Sequence, residues 1–124
     1  MTNKVIYGEG NALIEVQYQT VGQDLQVLIT AGKAHVGAVA LAVPCPVNAE
    51  GVTASVSVMT VPGHRDNIVA ESAAMALCKA LSRPVSVTAG LHIDQATQEE
   101  IMALVNNAKE AINILILNLK GEKQ

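Results

Sequence analysis

Aromatic residues are almost absent from this sequence. The 124-residue chain has no phenylalanine and no tryptophan, and its two tyrosines are Tyr7 and Tyr18. A core must therefore be built from valine, alanine, leucine and isoleucine, which have to pack closely to fill the interior. Two tyrosines also cannot form a base-stacking platform, and this argues against binding of single-stranded nucleic acid.

Positive charge and long apolar runs are also scarce. Lysine and arginine total 8 against 11 acidic residues, the net charge is -3, and no basic run is present. A nucleic-acid partner is therefore not expected. No apolar run is long enough to span a bilayer, and Met1–Lys4 leads into a strand-like pattern instead of a signal-peptide core. We expect no membrane partner and a cytoplasmic location.

The chain has only two cysteines, Cys45 and Cys78, and they lie far apart. Neither belongs to a Cys-x-x-Cys pair or to a recognisable zinc spacing. Cys78 falls in an alanine-rich segment, where a small buried thiol is common, and Cys45 lies between two prolines with no charged neighbour to activate it. Both are predicted to be reduced and structural.

The first third of the sequence predicts an edge strand followed by a hairpin. Val5–Tyr7 is a short apolar run closed by glycines. Apolar and polar residues then alternate over Ile14–Gln19 and again over Leu25–Ile29, which is typical of strands with one wet face. Because Gly22–Asp24 is a turn sequence, these two strands are expected to pair.

The segment Val36–Val43 is apolar at nearly every position. It predicts a central strand covered on both sides, or by a helix on one side and another subunit on the other. Gly37 indicates a bulge or a close approach of backbone. Pro44–Gly51 is predicted to be a loop, and the alternation over Val52–Val61 predicts the next strand.

The remaining sequence predicts a helix, a strand and a second helix. Small apolar residues recur with helical spacing over Asn67–Leu81, and Val85–Leu91 has the pattern of a strand. Thr97–Glu100 matches a capping box, which marks the start of the second helix. Its predicted buried stripe consists of Ile101, Leu104, Val105, Ala108, Ile112, Leu115 and Leu119.

Two apolar residues of the second helix, Ile114 and Leu117, lie outside that stripe. At about 100° per residue they project from nearly the opposite side, and a second partner would cover them. They favour a homodimer or a complex, although single exposed apolar residues are common. Together these elements indicate one α+β domain over residues 1–124, with a mixed, mostly antiparallel sheet of five or six strands and two helices packed on one face.

The turn Val61–Asp66, which separates the strand from the first helix, is a candidate anion site. Pro62 and Gly63 end the strand, and Asp66 is predicted to be the helix N-cap. The N–H groups of the first helical turn attract anions, and His64 and Arg65 add side-chain donors. The alternative is that Asp66 only caps the helix and Arg65 is solvated.

The predicted strand order brings distant polar residues to one end of the sheet. If the strands before and after the Pro44–Gly51 loop form a hairpin, His35 lies beside His64. The helix then runs back, and the strand Val85–Leu91 returns to the same rim with His92 and Asp94. Three histidines and a water would suit zinc, but Arg65 beside His64 repels a cation and favours an anion.

The sequence resembles a known family, the LpdD-like prenylated-flavin chaperones, which are small D subunits of gallate-type decarboxylases. The resemblance lies in four motifs that together extend over much of the chain. These motifs are Ile29-Thr30-Ala31-Gly32, His35-Val36-Gly37-Ala38-Val39-Ala40, Pro62-Gly63-His64-Arg65-Asp66 and Ala89-Gly90-Leu91-His92-Ile93-Asp94.

The resemblance implies a small dimeric subunit, shaped like a proteasome assembly chaperone, that holds reduced prenylated FMN for a UbiD-type decarboxylase large subunit. It implies that Gly63, His64, Arg65 and the helix start after Asp66 hold the phosphate. It also places His35 and Gly37 near the ring or ribityl chain, with His92 alongside. The near absence of aromatic side chains leaves the isoalloxazine ring without the flat surface that usually contacts it.

Three hypotheses of function remain open from the sequence. The first is a non-catalytic carrier of prenylated FMN or FMN. The second is a small enzyme that uses rim histidines as general acid or base on an anionic aromatic substrate. The third is a purely structural assembly subunit held to a partner through Ile114 and Leu117.

Overall fold

The computed structural model describes residues 3–48, 51–62 and 66–122. Five of the described strands precede the first helix, and the elements confirm the predicted α+β fold class. They are β1 (Asn3–Tyr7), a 3-10 turn (Gly10–Ala12), β2 (Ile14–Val21), β3 (Asp24–Gly32), β4 (Ala38–Asn48), β5 (Gly51–Thr60), α1 (Asn67–Leu81), β6 (Val85–His92) and α2 (Gln98–Glu122).

Six strands form one mixed sheet in the order β1-β2-β3-β6-β4-β5. Only β3 and β6 pair in parallel, and the other neighbours are antiparallel. The β2–β3 hairpin and the edge position of β1 were both predicted. Since β5 and β6 are each antiparallel to β4, they run in the same direction, and α1 connects them across β4.

The core lies on one face of the sheet, beneath both helices. Val16, Ile29, Ala89 and Ala38 are neighbours across four strands, and all are buried. Helix α1 covers β4, β5 and β6, and α2 covers β1 and β2 and packs against α1. Because the central strands present alanine to α1, the helix backbone can lie close to the sheet.

The prediction of a loop over Pro44–Gly51 is wrong for the described residues of this segment, because β4 continues to Asn48 and β5 begins at Gly51. Strand β4 pairs with β6 only over Ala38–Ala42, so its later residues have a strand neighbour on one side. An edge position tolerates proline, which cannot donate to a sheet ladder. Residues 49 and 50 lie outside the described residues.

Helix α2 begins with the predicted capping box, in which the Thr97 N–H donates to Glu100 Oε1 (2.9 Å) and the Glu100 N–H to Thr97 Oγ1 (3.1 Å). Its buried stripe is narrower than predicted, because Ile101 and Val105 are exposed. Val105 lies at the margin of the stripe, and Ile101 lies one turn earlier on the same side.

The two apolar residues outside the stripe of α2 differ from each other in the structure. Ile114 is partly buried and packs against the core. Leu117 is 71% exposed. Of the two residues that make up the second apolar stripe predicted from the sequence, only Leu117 is therefore exposed.

Among the described residues, no segment covers the sheet face opposite the helices, and we call it the open face. Its apolar patch is formed by the outward side chains of Val39, Leu41 and Val43 on β4, the strand next to the edge strand β5, with Met59 of β5 directly opposite Val39. The sequence predicted that β4 is covered on both sides or lies between a helix and another subunit. Within the chain α1 covers one side only.

No helix among the described residues combines the length and the apolar character that crossing a bilayer requires.

Candidate functional site

One end of the sheet gathers the termini of five elements, and we call this end the rim. There β3 ends at Gly32, β6 ends at His92, β5 ends at Thr60, β4 begins at Ala38 and α1 begins at Asn67. Gly32 and His92 are neighbours in the parallel ladder. Because the carboxyl ends of the parallel strands meet here, this edge is where α/β sheets usually place ligands.

His35 and Asp66 are joined directly at the rim. Nε2 of His35 lies 3.0 Å from Oδ2 of Asp66, and Nδ1 lies 2.9 Å from the carbonyl oxygen of Lys33. The carbonyl oxygen and the ionised carboxylate are both acceptors, so the ring donates at both positions when it is protonated. The imidazole is thereby fixed in orientation by the loop before β4 and by the residue before α1.

Asp66 is 6% exposed and joins a third segment as well. The backbone N–H of Leu91, near the end of β6, donates to its Oδ1 at 3.1 Å. Both carboxylate oxygens therefore have partners inside the protein. A buried carboxylate needs such partners, because an unpaired charge in the interior is strongly unfavourable.

The prediction that the Asp66 side chain caps α1 is wrong. Asp66 stands at the N-cap position, but its backbone is helical (φ -76°, ψ -5°) and its side chain makes no capping bond. The carboxylate is used by His35 and Leu91 instead. The N–H groups in the first turn of α1 consequently donate no hydrogen bond to this side chain. The positive end of the helix dipole lies at the rim.

Three glycines allow the rim segments to approach this closely. A Cβ on Gly37 would overlap the Asp66 carboxylate, and one on Gly90 would overlap the backbone of His35. Gly32 adopts a left-handed conformation (φ +62°), and its Cβ would overlap the His92 carbonyl. The close approach predicted at Gly37 is therefore observed, although Gly37 precedes β4 instead of lying within it.

The backbone of Gly37 also connects three strand ends. Its N–H donates to the carbonyl of Ala89 (3.0 Å), and its own carbonyl accepts from the N–H of Val61 (2.8 Å). The turn that precedes α1 thus begins at a point anchored to β6. A shift of Gly37 would move both the His35 ring and the end of β5.

His92 lies beside His35 at the rim, with the ring centroids 6.2 Å apart and nearly perpendicular. Nε2 of His92 is 2.9 Å from Asp94 Oδ1, and Lys33 Nζ is 2.7 Å from Asp94 Oδ2. The two described histidines of the three do converge, as the predicted strand order required. Gly63, His64 and Arg65, the other predicted phosphate-binding residues, lie outside the described residues.

The Asp94 carboxyl has a lowered pKa, mainly because Lys33 donates to it and secondarily because His92 does. A lowered pKa in the folded state stabilises the protein at pH values above the ordinary pKa of 3.8, and that contribution is lost as the pH falls.

We expect carbon NMR titration to give Asp94 a midpoint below 3.8, and we expect Lys33→Met to raise this midpoint. The control Lys79→Met, on α1, should leave it unchanged. An unaltered midpoint in Lys33→Met would contradict this account.

Sequence reasoning missed the contributions of Gly32, Lys33, Gly90 and the Leu91 N–H. Gly32 ends β3 and Gly90 lies two residues before the end of β6, and glycine near the end of a strand was the available signal. That signal does not say which segment approaches, because the partner of each glycine comes from a different part of the chain. Within the described ranges, no group of three histidine, cysteine or acidic side chains is arranged to hold a metal ion.

Cys45 and Cys78 are both free thiols. Burial raises the pKa of Cys78, with a smaller contribution from Cys45. A raised pKa keeps the thiol protonated and unreactive at neutral pH. This agrees with the structural role predicted for Cys78.

A separate groove of about 300 Å³ lies between the two helices. It is lined mainly by apolar side chains, including Ile68, Val105 and Ile112, with Lys109 and Asn113 as polar members. The rim holds the convergent polar groups, whereas this groove holds apolar surface.

The family model of the prenylated flavin chaperone LpdD-like domain matches residues 8–120 of this chain. The chain belongs to this family. Protein LpdD of Lactiplantibacillus plantarum is 31% identical over an 88-residue alignment that covers 68% of this chain and 61% of that protein. The match thus spans about 61% of the length of this curated relative.

The fold is shared with a solved structure of low sequence identity. A chain of a chaperone complex for yeast 20S proteasome assembly superimposes with a TM-score of 0.59, covering 98% of this chain and 97% of that one. The sequences are 13% identical. This likeness concerns the fold alone, and it agrees with the shape that the LpdD-like motifs implied.

Proposed function

We propose that this chain is a non-catalytic carrier that binds reduced prenylated FMN and delivers it to a UbiD-type aromatic acid decarboxylase. We further propose that residues 1–124 form one domain, that the protein is a cytoplasmic homodimer, and that the cofactor phosphate docks at the start of α1. Membership of the prenylated flavin chaperone family supports the choice of cofactor.

The observation that carries the proposal is that the Asp66 carboxylate does not bond to the N–H groups at the start of α1. A capping carboxylate would occupy the first-turn N–H groups and repel an anion. Here the carboxylate is paired with His35 and Leu91, and no capping bond from it is present. A phosphate would therefore meet the backbone donors and the helix dipole directly.

Within this proposal the seven predicted site residues have different roles. Gly63, His64 and Arg65 precede Asp66 in the sequence and supply phosphate donors, Arg65 as a planar fork. Asp66 and Gly37 position the segments and do not contact the ligand. His35 and His92, with perpendicular rings 6.2 Å apart, present the only ring surfaces among the described rim residues.

The test is retention of the cofactor by protein co-expressed with a flavin prenyltransferase and purified without oxygen. Absorbance and mass spectrometry should show prenylated FMN on the wild type. Arg65→Ala should weaken binding about 10- to 100-fold, because a charge-assisted hydrogen bond to phosphate contributes about 1.5–3 kcal/mol.

Arg83→Ala is the matched control for this experiment. Arg83 precedes β6 at the opposite end of the sheet, where Nη1 donates to the carbonyl of Gln23 (3.0 Å). Its loss should leave cofactor retention unchanged. A wild type without flavin, equal retention by the Arg65 variant, or turnover of an aromatic acid without added flavin would each contradict the proposal.

A further inference from the structure

We infer that the open face of the sheet is the surface through which two copies of this chain pair, sheet against sheet. This inference rests on the homodimer of the proposed function and names the surface that forms it. It differs from the prediction made from α2, which rested on Ile114 and Leu117, because only Leu117 of these two is exposed.

The first argument is the composition of the open face. Outward side chains of four adjacent strands, within residues 26–30, 86–88, 39–43 and 55–59, include no charged residue. They are serine, threonine and glutamine around a patch of larger apolar side chains. Depletion of charge at the centre of a surface is characteristic of protein interfaces.

The second argument is the continuity of the apolar patch. Val39, Leu41 and Val43 follow one another on the outward side of β4, and Leu41 is 50% exposed. Met59, the partner of Val39 in the ladder, is 81% exposed. A single exposed aliphatic side chain is ordinary, but a contiguous patch on a central strand indicates a surface that is covered in the assembly.

The third argument is the size and shape of the face. Six strands about 4.8 Å apart and about eight residues long, at about 3.3 Å per residue, offer a face of roughly 700 Å². The two strands beyond the four described above, β1 and β2, add Lys4 and Glu15 to this face, and these form an ion pair with each other (3.4 Å). A standard interface buries about 800 Å² on each partner. Two such sheets can pack about 10 Å apart with their side chains interdigitated.

A second copy is the occupant that these features favour. Each chain has a net charge of -3, so two copies repel through most of their surfaces but not through the part of the open face that has no charged side chain. A two-fold pair needs only one self-complementary patch, and the open face provides it. The helical side of each chain would then face outward in the dimer.

The test compares two leucine-to-glutamate variants by sedimentation velocity at micromolar concentration, without flavin. Wild type and Leu117→Glu should sediment as dimers. Leu41→Glu should sediment as a monomer, because each copy would place a carboxylate against the partner sheet. The dissociation constant of the dimer should rise about 100-fold or more. Far-UV circular dichroism and thermal unfolding should show that both variants remain folded.

A second measurement needs no substitution and decides the question if Leu41→Glu does not fold. In methyl NMR of the wild type, a soluble paramagnetic agent should broaden the Leu117 signals and leave those of Val39, Leu41 and Val43 protected. Equal broadening of both sets would overturn the inference.

Three other outcomes would also overturn it: a monomeric wild type, a dimeric Leu41→Glu, or dissociation caused by Leu117→Glu. Protection of the open face only after addition of a decarboxylase would assign the surface to that partner instead. Flavin retention is measured separately. A carrier that binds the cofactor but pairs through another surface would fail this test and still satisfy the proposed function.

Discussion

Gly90→Ala is expected to lower the free energy of unfolding by about 3 kcal/mol or more, because it forces backbone apart at the rim. The new Cβ would overlap the carbonyl group and nitrogen of His35, which are main-chain atoms and cannot rotate away. Gly90 is also fixed in register, opposite Thr30 of β3. Chemical denaturation followed by circular dichroism measures the effect.

Gly51→Ala is the matched control, because Gly51 is also a strand glycine and a Cβ there would meet nothing within 4 Å. Its stability should stay within about 0.5 kcal/mol of the wild type. If Gly90→Ala were equally mild, the loop that carries His35 would not pack on β6 as described.

Most of the sheet could be predicted because its strands contain a local signal. Alternation located β2, β3 and β5, and helical spacing gave α1 its observed bounds, Asn67–Leu81. The extent of β4 could not be predicted in the same way. Pro44 and Pro46 usually indicate a loop, and only the pairing pattern reveals that this part of β4 has one strand neighbour and tolerates them.

The rim could be predicted as a meeting point but not as a set of contacts. Strand order and direction were sufficient to bring His35 and His92 together, because these are properties of whole elements. The role of Asp66 depends on a side-chain orientation that its position before a helix does not determine. A cap and a buried link to β6 have the same local sequence, and the choice depends on His35 and Leu91, which are distant in the chain.

The exposure of residues on α2 shows a similar limit. Helical periodicity gives the direction in which a side chain projects, but not what lies there. Leu104 and Leu115 face the core as predicted, whereas Val105 projects toward the groove between the helices. Where the neighbouring helix lies is a property of the packed structure, so the width of the buried stripe could not be read from α2 alone.

Asp66→Ala is expected to lower the free energy of unfolding by about 2–4 kcal/mol, because it leaves the Leu91 N–H and the His35 ring without their shared acceptor. Asp66→Asn should cost less, since an amide oxygen can still accept from the Leu91 N–H. The control is Asp94→Ala at the same rim. Asp94 is exposed, and its ion pair with Lys33 is screened by solvent, so that variant should leave the stability close to that of the wild type.

A double-mutant cycle between Asp66→Ala and His35→Ala separates a specific link from a general loss of packing. If the carboxylate acts through the imidazole, the two single effects should overlap, with a coupling free energy of about 1–3 kcal/mol. The same cycle for Asp94 and His92, whose side chains are more exposed, should give a clearly smaller coupling free energy. Additive effects of the Asp66 and His35 substitutions would show that the 3.0 Å contact does not hold the rim together. The contact with His35 would then not explain why the Asp66 carboxylate leaves the start of α1 free for an anion.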